Sequence, residues 1–210
     1  MMDEVQKQLG SLRIGDPAPD FEARSTHGPI RLSDYRGRWL IFFSHPADFT
    51  RVCTTVFIAL ARHAEQFDAL NCALLGLSVD SLYSHLAWVR AIQDKFDVTI
   101  SFPIVEDPSM AVGRAFGMID EKAGDSAAMR TSYFIDPAGI VQATTCYPHN
   151  VGRSVSEMIR MLAALQMAED GNILVPEGWQ PGDDVLEVPP LATDQTDDED
   201  VWFCRLVKAK

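Results

Sequence analysis

The feature that most constrains the fold is a short apolar run, WLIFFS at residues 39–44, followed nine residues later by a long helical pattern. Six residues are too few for a stable helix, and an apolar run without alternation is typical of a strand buried on both faces. From residue 53 to 70, apolar side chains such as Val56, Phe57 and Leu60 recur at helical spacing. This order predicts a central strand followed by a helix that covers one face of its sheet.

The alternation of strand and helix patterns continues along the chain. The turn signal Asp136-Pro137-Ala138-Gly139 separates two apolar runs, which predicts a β-hairpin. The other predicted elements are strands at 73–79 and 102–105, helices at 86–96 and 110–116, hairpin strands at 133–135 and 140–144, and a helix from 154 to 165. Together they predict an α/β fold of the thioredoxin-like type, with a mixed β-sheet flanked by helices on both faces.

The chain changes character after residue 170. Residues 171–200 hold nine acidic residues and no Lys or Arg, and helical periodicity is absent there. We therefore predict a compact domain at residues 1–170 and a C-terminal arm at residues 171–210. Aromatic residues such as Trp179 and Trp202 indicate that the arm docks on another surface, such as a second subunit, although a disordered acidic tail at residues 193–200 is the alternative.

Charge and cysteine spacing exclude several classes of function. A formal net charge of −12 gives no support for binding nucleic acid or anionic lipid. The first 12 residues contain no continuous apolar run, so no signal peptide or membrane span is expected there and a cytoplasmic location is expected. The four cysteines lie far apart with no CxxC pair, unlike a disulfide scaffold or a zinc ribbon. In a reducing compartment such isolated cysteines are usually buried or catalytic.

Cys53 is predicted to lie in the first turn of a helix that follows a buried strand. Unpaired N–H groups and the positive end of the helix dipole stabilise an anion at that position, which favours the nucleophilic thiolate. The nearby Thr50 hydroxyl can both donate and accept hydrogen bonds, and Pro46 can cover the pocket without adding an N–H group. These three residues predict a catalytic thiol, whereas a cysteine alone would more often be structural.

Pro46, Thr50 and Cys53 match the P-x-x-x-T-x-x-C active-site motif in identity and spacing, so the chain resembles the peroxiredoxins. The long arm and the pair His45-Pro46 resemble the six-like subgroup of that family. Further similar blocks are GDPAPDFEA at 15–23, LSDYRG at 32–37, LGLSVDS at 75–81 and SFPIVEDP at 101–108.

The resemblance implies a thiol peroxidase that reduces hydrogen peroxide and organic hydroperoxides through a cysteine sulfenic acid. It implies that no metal or organic cofactor is needed. The implied reductant is thioredoxin, glutaredoxin or a small thiol, and the implied assembly is a homodimer that can extend to a ring.

The resemblance also implies further site residues. Arg130, in MRTSYFIDP, stands where the family has an arginine that reaches the peroxidatic sulfur, and Arg153 resembles the second arginine of the six-like subgroup. His45 is expected to line the pocket, with a buried histidine satisfied by the backbone as the alternative. Cys204, in a W-F-C sequence, either resolves the sulfenic acid or is incidental to an aromatic anchor.

Two positions depart from the family pattern. Val56 replaces a glutamate that is expected to orient Arg130, and Arg51 replaces a proline and adds a third cation near the loop. Cys72 and Cys146 are expected to be buried and to pack as small apolar side chains rather than to act as nucleophiles.

Two other functions remain as alternatives at this point. A thioredoxin-fold disulfide reductase needs a second vicinal thiol, and Thr55 or Val56 stands in its place. A non-enzymatic oligomeric scaffold or holdase on the same fold is the other alternative, since the lost glutamate is expected to affect catalysis.

Overall fold

A computed structural model of the 210-residue chain describes residues 12–119, 126–189 and 203–209. Its contacts divide the chain into two compact units, Met1–Val155 and Ser156–Lys210. The domain boundary predicted after residue 170 stays a prediction, because a division of contacts within one chain does not test which segments fold independently.

The first unit consists of strands alternating with helices. In chain order its described elements are β1 (Glu22–Ser25), β2 (Gly28–Arg31), a 3-10 turn (Leu32–Tyr35), β3 (Trp39–Ser44), α1 (Arg51–Arg62), α2 (Ala64–Ala69), β4 (Cys72–Ser78), α3 (Leu82–Phe96), β5 (Ile104–Glu106), α4 (Ala111–Ala115), β6 (Arg130–Ile135) and β7 (Val141–Tyr147).

These strands form one sheet in the order β2-β1-β5-β4-β3-β6-β7. The central strand β3 runs parallel to β4 and antiparallel to β6, so the sheet is mixed as predicted. The predicted hairpin is formed by β6 and β7. The hairpin of β1 and β2 was not predicted, because its strands have four residues each and lack an apolar alternation.

Helices cover both faces of the sheet because neighbouring side chains of β3 point to opposite sides. The ring of Phe42 packs 4.7 Å from that of Phe116, which follows α4. The ring of Phe43 packs 5.5 Å from that of Phe57 in α1. All six residues of β3 are buried, as the apolar run predicted. The thioredoxin-like α/β fold is therefore confirmed.

The single helix predicted over residues 53–70 is wrong, because the structure has two helices that meet at His63. Residue His63 has φ −108° and ψ 10°, outside the α-helical range. Its Nδ1 lies 2.7 Å from the carbonyl oxygen of Ala59, and its backbone N–H binds the same carbonyl. The histidine side chain thus shares a helical acceptor at the point where α1 ends.

The second unit contains most of α5 (Val155–Met167) and a small antiparallel sheet in the order β10-β9-β8. Its strands are β8 (Ile173–Leu174), β9 (Val185–Glu187) and β10 (Leu206–Val207). Trp179 is 2% exposed within the single chain, so it needs no second subunit to bury it. Trp202 and the predicted acidic tail at 193–200 lie outside the described residues. None of the helices described is long and apolar enough to cross a membrane.

Candidate active site

Cys53 is the third residue of α1 and its side chain is fully buried. The first turn of a helix leaves backbone N–H groups without intrahelical carbonyl partners, and the positive end of the dipole lies at the same place. The N–H of Thr54 binds the carbonyl of Thr50 at 3.0 Å, which marks the start of the helical hydrogen bonds. The predicted position of Cys53 in the first turn of a helix is therefore confirmed.

Arg130 lies on β6 and is the side chain that contacts the sulfur. Its Nη1 donates to Sγ of Cys53 at 3.4 Å. Its Nε and Nη2 both donate to the carbonyl oxygen of His149, at 3.0 and 2.9 Å. Arg130 is 2% exposed, so its charge acts on the sulfur with little screening by water.

Arg153 is the second buried cation of the region. Its Nε donates to Oγ of Ser132 at 2.8 Å, and its Nη2 donates to the carbonyl oxygens of Ser44 and Thr131 at 2.5 and 2.8 Å. Its Nη1 is buried without a hydrogen-bond partner among the described residues. Burial, followed by the nearby charge of Arg130, lowers the pKa of Arg153 to about 9, so it still carries a positive charge at neutral pH.

Thr50 immediately precedes α1 and is half-buried. Its hydroxyl donates to the carbonyl of Ala47 at 2.9 Å, which leaves the lone pairs of its oxygen to accept a hydrogen bond. Pro46 is half-buried at the start of the same loop. The structure thus places both motif residues on the short loop between β3 and α1, just before Cys53.

His45 is fully buried at the start of this loop, and its closest polar partner is another side chain of the loop. Its Nε2 lies 2.9 Å from Oδ1 of Asp48, and its ring stacks on Trp88 at 5.2 Å between centroids. Burial lowers the pKa of His45, although the hydrogen bond to Asp48 opposes this shift. His45 is therefore a neutral donor to Asp48, and neither predicted alternative named this partner.

The two positions that depart from the family pattern have different surroundings. Val56 is 3% exposed and its Cγ2 lies 3.6 Å from the place where Gly152 would carry a Cβ. The orientation of Arg130 that was expected to need a glutamate here comes from the carbonyl of His149 instead. Arg51 is exposed and lines a surface groove with Phe49. As the first residue of α1 it lies next to the loop, where the sequence predicted a third cation.

The other cysteines differ from Cys53 in exposure. Cys72 is buried as expected, and burial raises the pKa of its thiol to about 12. Cys146 was expected to be buried but is exposed, because it lies on the strand β7 at the end of the sheet. Cys204 is exposed in the segment that precedes β10.

Comparison with known proteins identifies the chain. The model of the AhpC/TSA family matches residues 14–144, and a model described as the C-terminal domain of 1-Cys peroxiredoxin matches residues 164–200. The chain belongs to the AhpC/TSA family of peroxiredoxins. A peroxiredoxin of Thermoplasma volcanium is 43% identical over 201 residues, which cover 93% of this chain and 98% of that protein. Peroxiredoxin 2 of Caldanaerobacter subterraneus is 47% identical over 178 residues, covering 85% and 80%.

Solved structures of peroxiredoxins are similar over most of this chain. Yeast mitochondrial 1-Cys peroxiredoxin has a TM-score of 0.81 and 37% identity, and the match covers 87% of this chain and 90% of that one. Peroxiredoxin 6 of Arenicola marina, solved as a cysteine-to-serine mutant, has a TM-score of 0.80 and 28% identity, with 88% and 87% covered. This peroxiredoxin is therefore a thiol-dependent peroxidase, an oxidoreductase of the six-like type, and the alternative of a non-enzymatic scaffold has no support.

Proposed function

We propose that Cys53 is the peroxidatic nucleophile of this peroxidase. The observation that carries the proposal is the 3.4 Å contact between Sγ of Cys53 and Nη1 of Arg130 at the start of α1. The thiolate attacks the terminal oxygen of a hydroperoxide, an S–O bond forms and the O–O bond breaks. Cys53 is oxidised to sulfenic acid, and the departing oxygen takes a proton to become water or an alcohol.

Arg130 and Arg153 stabilise the charge that moves from sulfur to oxygen during this step. Arg130 stabilises the thiolate because its Nη1 donates to the sulfur. The unpartnered Nη1 of Arg153 supports a role as donor to a peroxide oxygen, since buried polar groups are normally hydrogen-bonded. The free lone pairs of Thr50 suit acceptance of the peroxide proton, and Pro46 is proposed to cover the pocket. We propose that His45 helps to hold the loop through its hydrogen bond to Asp48.

The decisive experiment compares Cys53→Ser with the wild type after one equivalent of hydrogen peroxide. Mass analysis should show oxidation of Cys53 in the wild type, as the sulfenic acid or a disulfide formed from it, and none at this position in the variant, and peroxide consumption should be lost. Cys146→Ser is the matched control, because Cys146 is an exposed thiol outside the site. Retained turnover by Cys53→Ser would overturn the assignment.

Hydrogen peroxide and organic hydroperoxides are the proposed substrates, and a thiol is the proposed reductant. The yeast mitochondrial 1-Cys relative is described as resolved by glutathione and thioredoxin systems, which supports thioredoxin, glutaredoxin or a small thiol here. Turnover of peroxide with each reductant in separate assays tests this part of the proposal.

A homodimer that can extend to a ring is the proposed assembly. An exposed apolar groove between α1 and α3 supports it, since Phe49 is 59% exposed and Phe96 is 52% exposed there. Large exposed apolar patches commonly mark protein interfaces, and a second copy would cover these rings. Light scattering of the wild type and of Phe96→Lys tests whether the groove carries the contact.

The cytoplasm is the proposed location. All four cysteines are free thiols, which suits a reducing compartment. Fractionation of the source cells with an antibody against this chain tests the proposal.

A further inference from the structure

A buried network of hydrogen bonds holds the loop between β3 and α1. At its centre is the carboxylate of Asp48, which is 7% exposed. Oδ1 of Asp48 lies 2.9 Å from Nε2 of His45, and Oδ2 lies 2.8 Å from Nδ1 of His85. His85 is fully buried and comes from α3, 37 residues along the chain from Asp48.

These contacts are hydrogen bonds rather than the spacing of a metal site. A nitrogen and an oxygen that each lie about 2 Å from a tetrahedral cation are about 3.3 Å apart. The two separations at Asp48 are shorter, at 2.9 and 2.8 Å, so a proton lies between each pair of atoms.

The partners of His85 define the hydrogen bond that it makes with Asp48. Its Nδ1 faces the carboxylate of Asp48, and its Nε2 lies 3.2 Å from the carbonyl oxygen of Val105. Burial would raise the pKa of Asp48, but the hydrogen bonds from His45 and His85 hold it well below the usual range, so the carboxylate is ionised. An ionised carboxylate can only accept a hydrogen bond, so Nδ1 of His85 is the donor.

Other ionisable groups lie around His85. Asp48 faces it from the loop and Glu106 from β5, while the neutral ring of His45 lies 6.1 Å away between centroids. Asp80, after β4, adds a third carboxylate to the same network through the backbone of Asp48. The carboxylate of Asp48 is thus held by both histidine rings.

The network fixes the backbone of the loop as well as its side chains. The N–H of Asp48 donates to Oδ2 of Asp80 at 2.9 Å, and the same oxygen accepts from Oγ of Ser78 at 2.8 Å. The next residue, Phe49, has φ of +57°, a left-handed conformation that is unfavourable for a bulky side chain. Such a conformation persists only where surrounding contacts enforce it. Thr50 and the first turn of α1 follow directly.

We infer that His85 is a positioning residue of the peroxidatic site: its Nδ1 donates to Asp48 and clamps that carboxylate, and so fixes the loop from which α1 and Cys53 begin. The inference rests on the proposed role of Cys53. His85 does not contact the sulfur in this arrangement. It acts by holding Asp48, which sets the strained turn at Phe49 and hence the place where the sulfur meets Arg130.

The test compares His85→Leu with His85→Asn. Leucine removes the donor, whereas the asparagine amide keeps a neutral donor near the position of Nδ1. We expect His85→Leu to lower the second-order rate of Cys53 oxidation by at least about tenfold, since displacements near 1 Å are costly in preorganised sites. His85→Asn should recover much of that rate. His27→Asn is the matched control at an exposed histidine and should react like the wild type.

A second measurement does not depend on folding of the variants. The ¹⁵N resonances of His85 in the wild type at neutral pH should show a proton on Nδ1, and an unprotonated Nδ1 would overturn the clamp. Equal oxidation rates for His85→Leu and the wild type would also overturn it. If Cys53→Ser retained turnover instead, the proposed function would fail, so the two failures are distinguishable.

Discussion

Nη1 of Arg130 lies 3.4 Å from Sγ of Cys53 because the other two donating nitrogens of the guanidinium are fixed on one backbone carbonyl, that of His149. A main-chain oxygen thus does what a glutamate at position 56 was expected to do. The anchor keeps the positive charge at the sulfur without placing a carboxylate in the same pocket. A negative charge there would repel a thiolate at Cys53.

Replacing Arg130 with methionine should slow oxidation of Cys53 about 100-fold or more, which is the usual cost of removing one preorganised electrostatic donor. Arg130→Lys keeps the charge but cannot bind the His149 carbonyl and the sulfur in the same forked geometry, so its rate should be intermediate. Stopped-flow measurement of the second-order rate with hydrogen peroxide checks both variants. Equal rates for the methionine and lysine variants would show that charge at this position is unimportant.

Val56→Glu should not accelerate the reaction, because Arg130 is already oriented by His149. Val56 is 3% exposed, so the new carboxylate would be buried and should cost about 1–3 kcal/mol of stability. Urea unfolding and peroxide rates measure the two effects, and Val56→Gln is the control of similar shape without the charge. A faster Val56→Glu enzyme would point instead to the unpartnered Nη1 of Arg153 as the group that lacks a carboxylate.

The sequence predicted those parts of the site that follow from local pattern. The buried run of β3 and the helical spacing after it located Cys53 at a helix start, and a motif match located Arg130. The His149 anchor was not predictable, because a backbone carbonyl has no signature in the side chain of its residue. The pairing of Asp48 with His85 was missed because it joins residues 37 positions apart, and a lone histidine in a helix gives no sign of its partner.

The break at His63 and the β1–β2 hairpin were missed for different physical reasons. The helical apolar pattern continues across the break. It therefore gave no sign that the side chain of His63 binds the Ala59 carbonyl and ends the helix there. Half of the residues in the hairpin strands are polar and many are exposed, so the stability of the hairpin comes from pairing with β5 and between its own strands. Both features depend on tertiary contacts rather than on local periodicity.

Stability should fall as the pH is lowered from 7 to 5, because His45 is buried in its neutral form. Burial lowers the pKa of His45, whereas in the unfolded chain it binds a proton below its ordinary value of about 6.5. The unfolded state then holds more protons than the native one, so the free energy of unfolding decreases by up to about 1.4 kcal/mol per pH unit. The low pKa of Asp48 contributes stability that is lost only below about pH 4.

Urea unfolding at pH 7, 6 and 5 measures this slope. His45→Asn should flatten it, since the titrating ring is gone. His27→Asn should leave it unchanged, because His27 is exposed. An equal slope in all three proteins would assign the acid sensitivity to other groups.

Native alkylation should separate Cys72 from the exposed thiols. Burial raises the pKa of Cys72 to about 12, so almost none of it is thiolate at pH 8, and the side chain is 1% exposed. Iodoacetamide should therefore label Cys146 and Cys204 quickly and leave Cys72 unlabelled until denaturant is added. Peptide mass spectrometry measures the order in which the cysteines are alkylated. Early labelling of Cys72 would show that β4 opens readily.

The last prediction is that Cys204 resolves the sulfenic acid of Cys53 by forming a disulfide between subunits. Cys204 is an exposed free thiol, whereas Cys53 is fully buried. Disulfide formation requires Cα atoms within about 7 Å, so the first turn of α1 must open before the bond closes. One equivalent of hydrogen peroxide should therefore convert the wild type to a covalent dimer on a non-reducing gel.

Cys204→Ser should stay monomeric on the same gel and accumulate sulfinic acid at Cys53, because no thiol traps the sulfenate. Cys146→Ser is the matched control: it removes the other exposed thiol and should still form the dimer. The covalent dimer should be reversed by dithiothreitol, and peptide mapping should find the bond between the two named cysteines. A wild type that shows only sulfenic or sulfinic Cys53 would place the enzyme on a one-cysteine route, in which an external thiol attacks the sulfenate directly and Cys204 has no catalytic part.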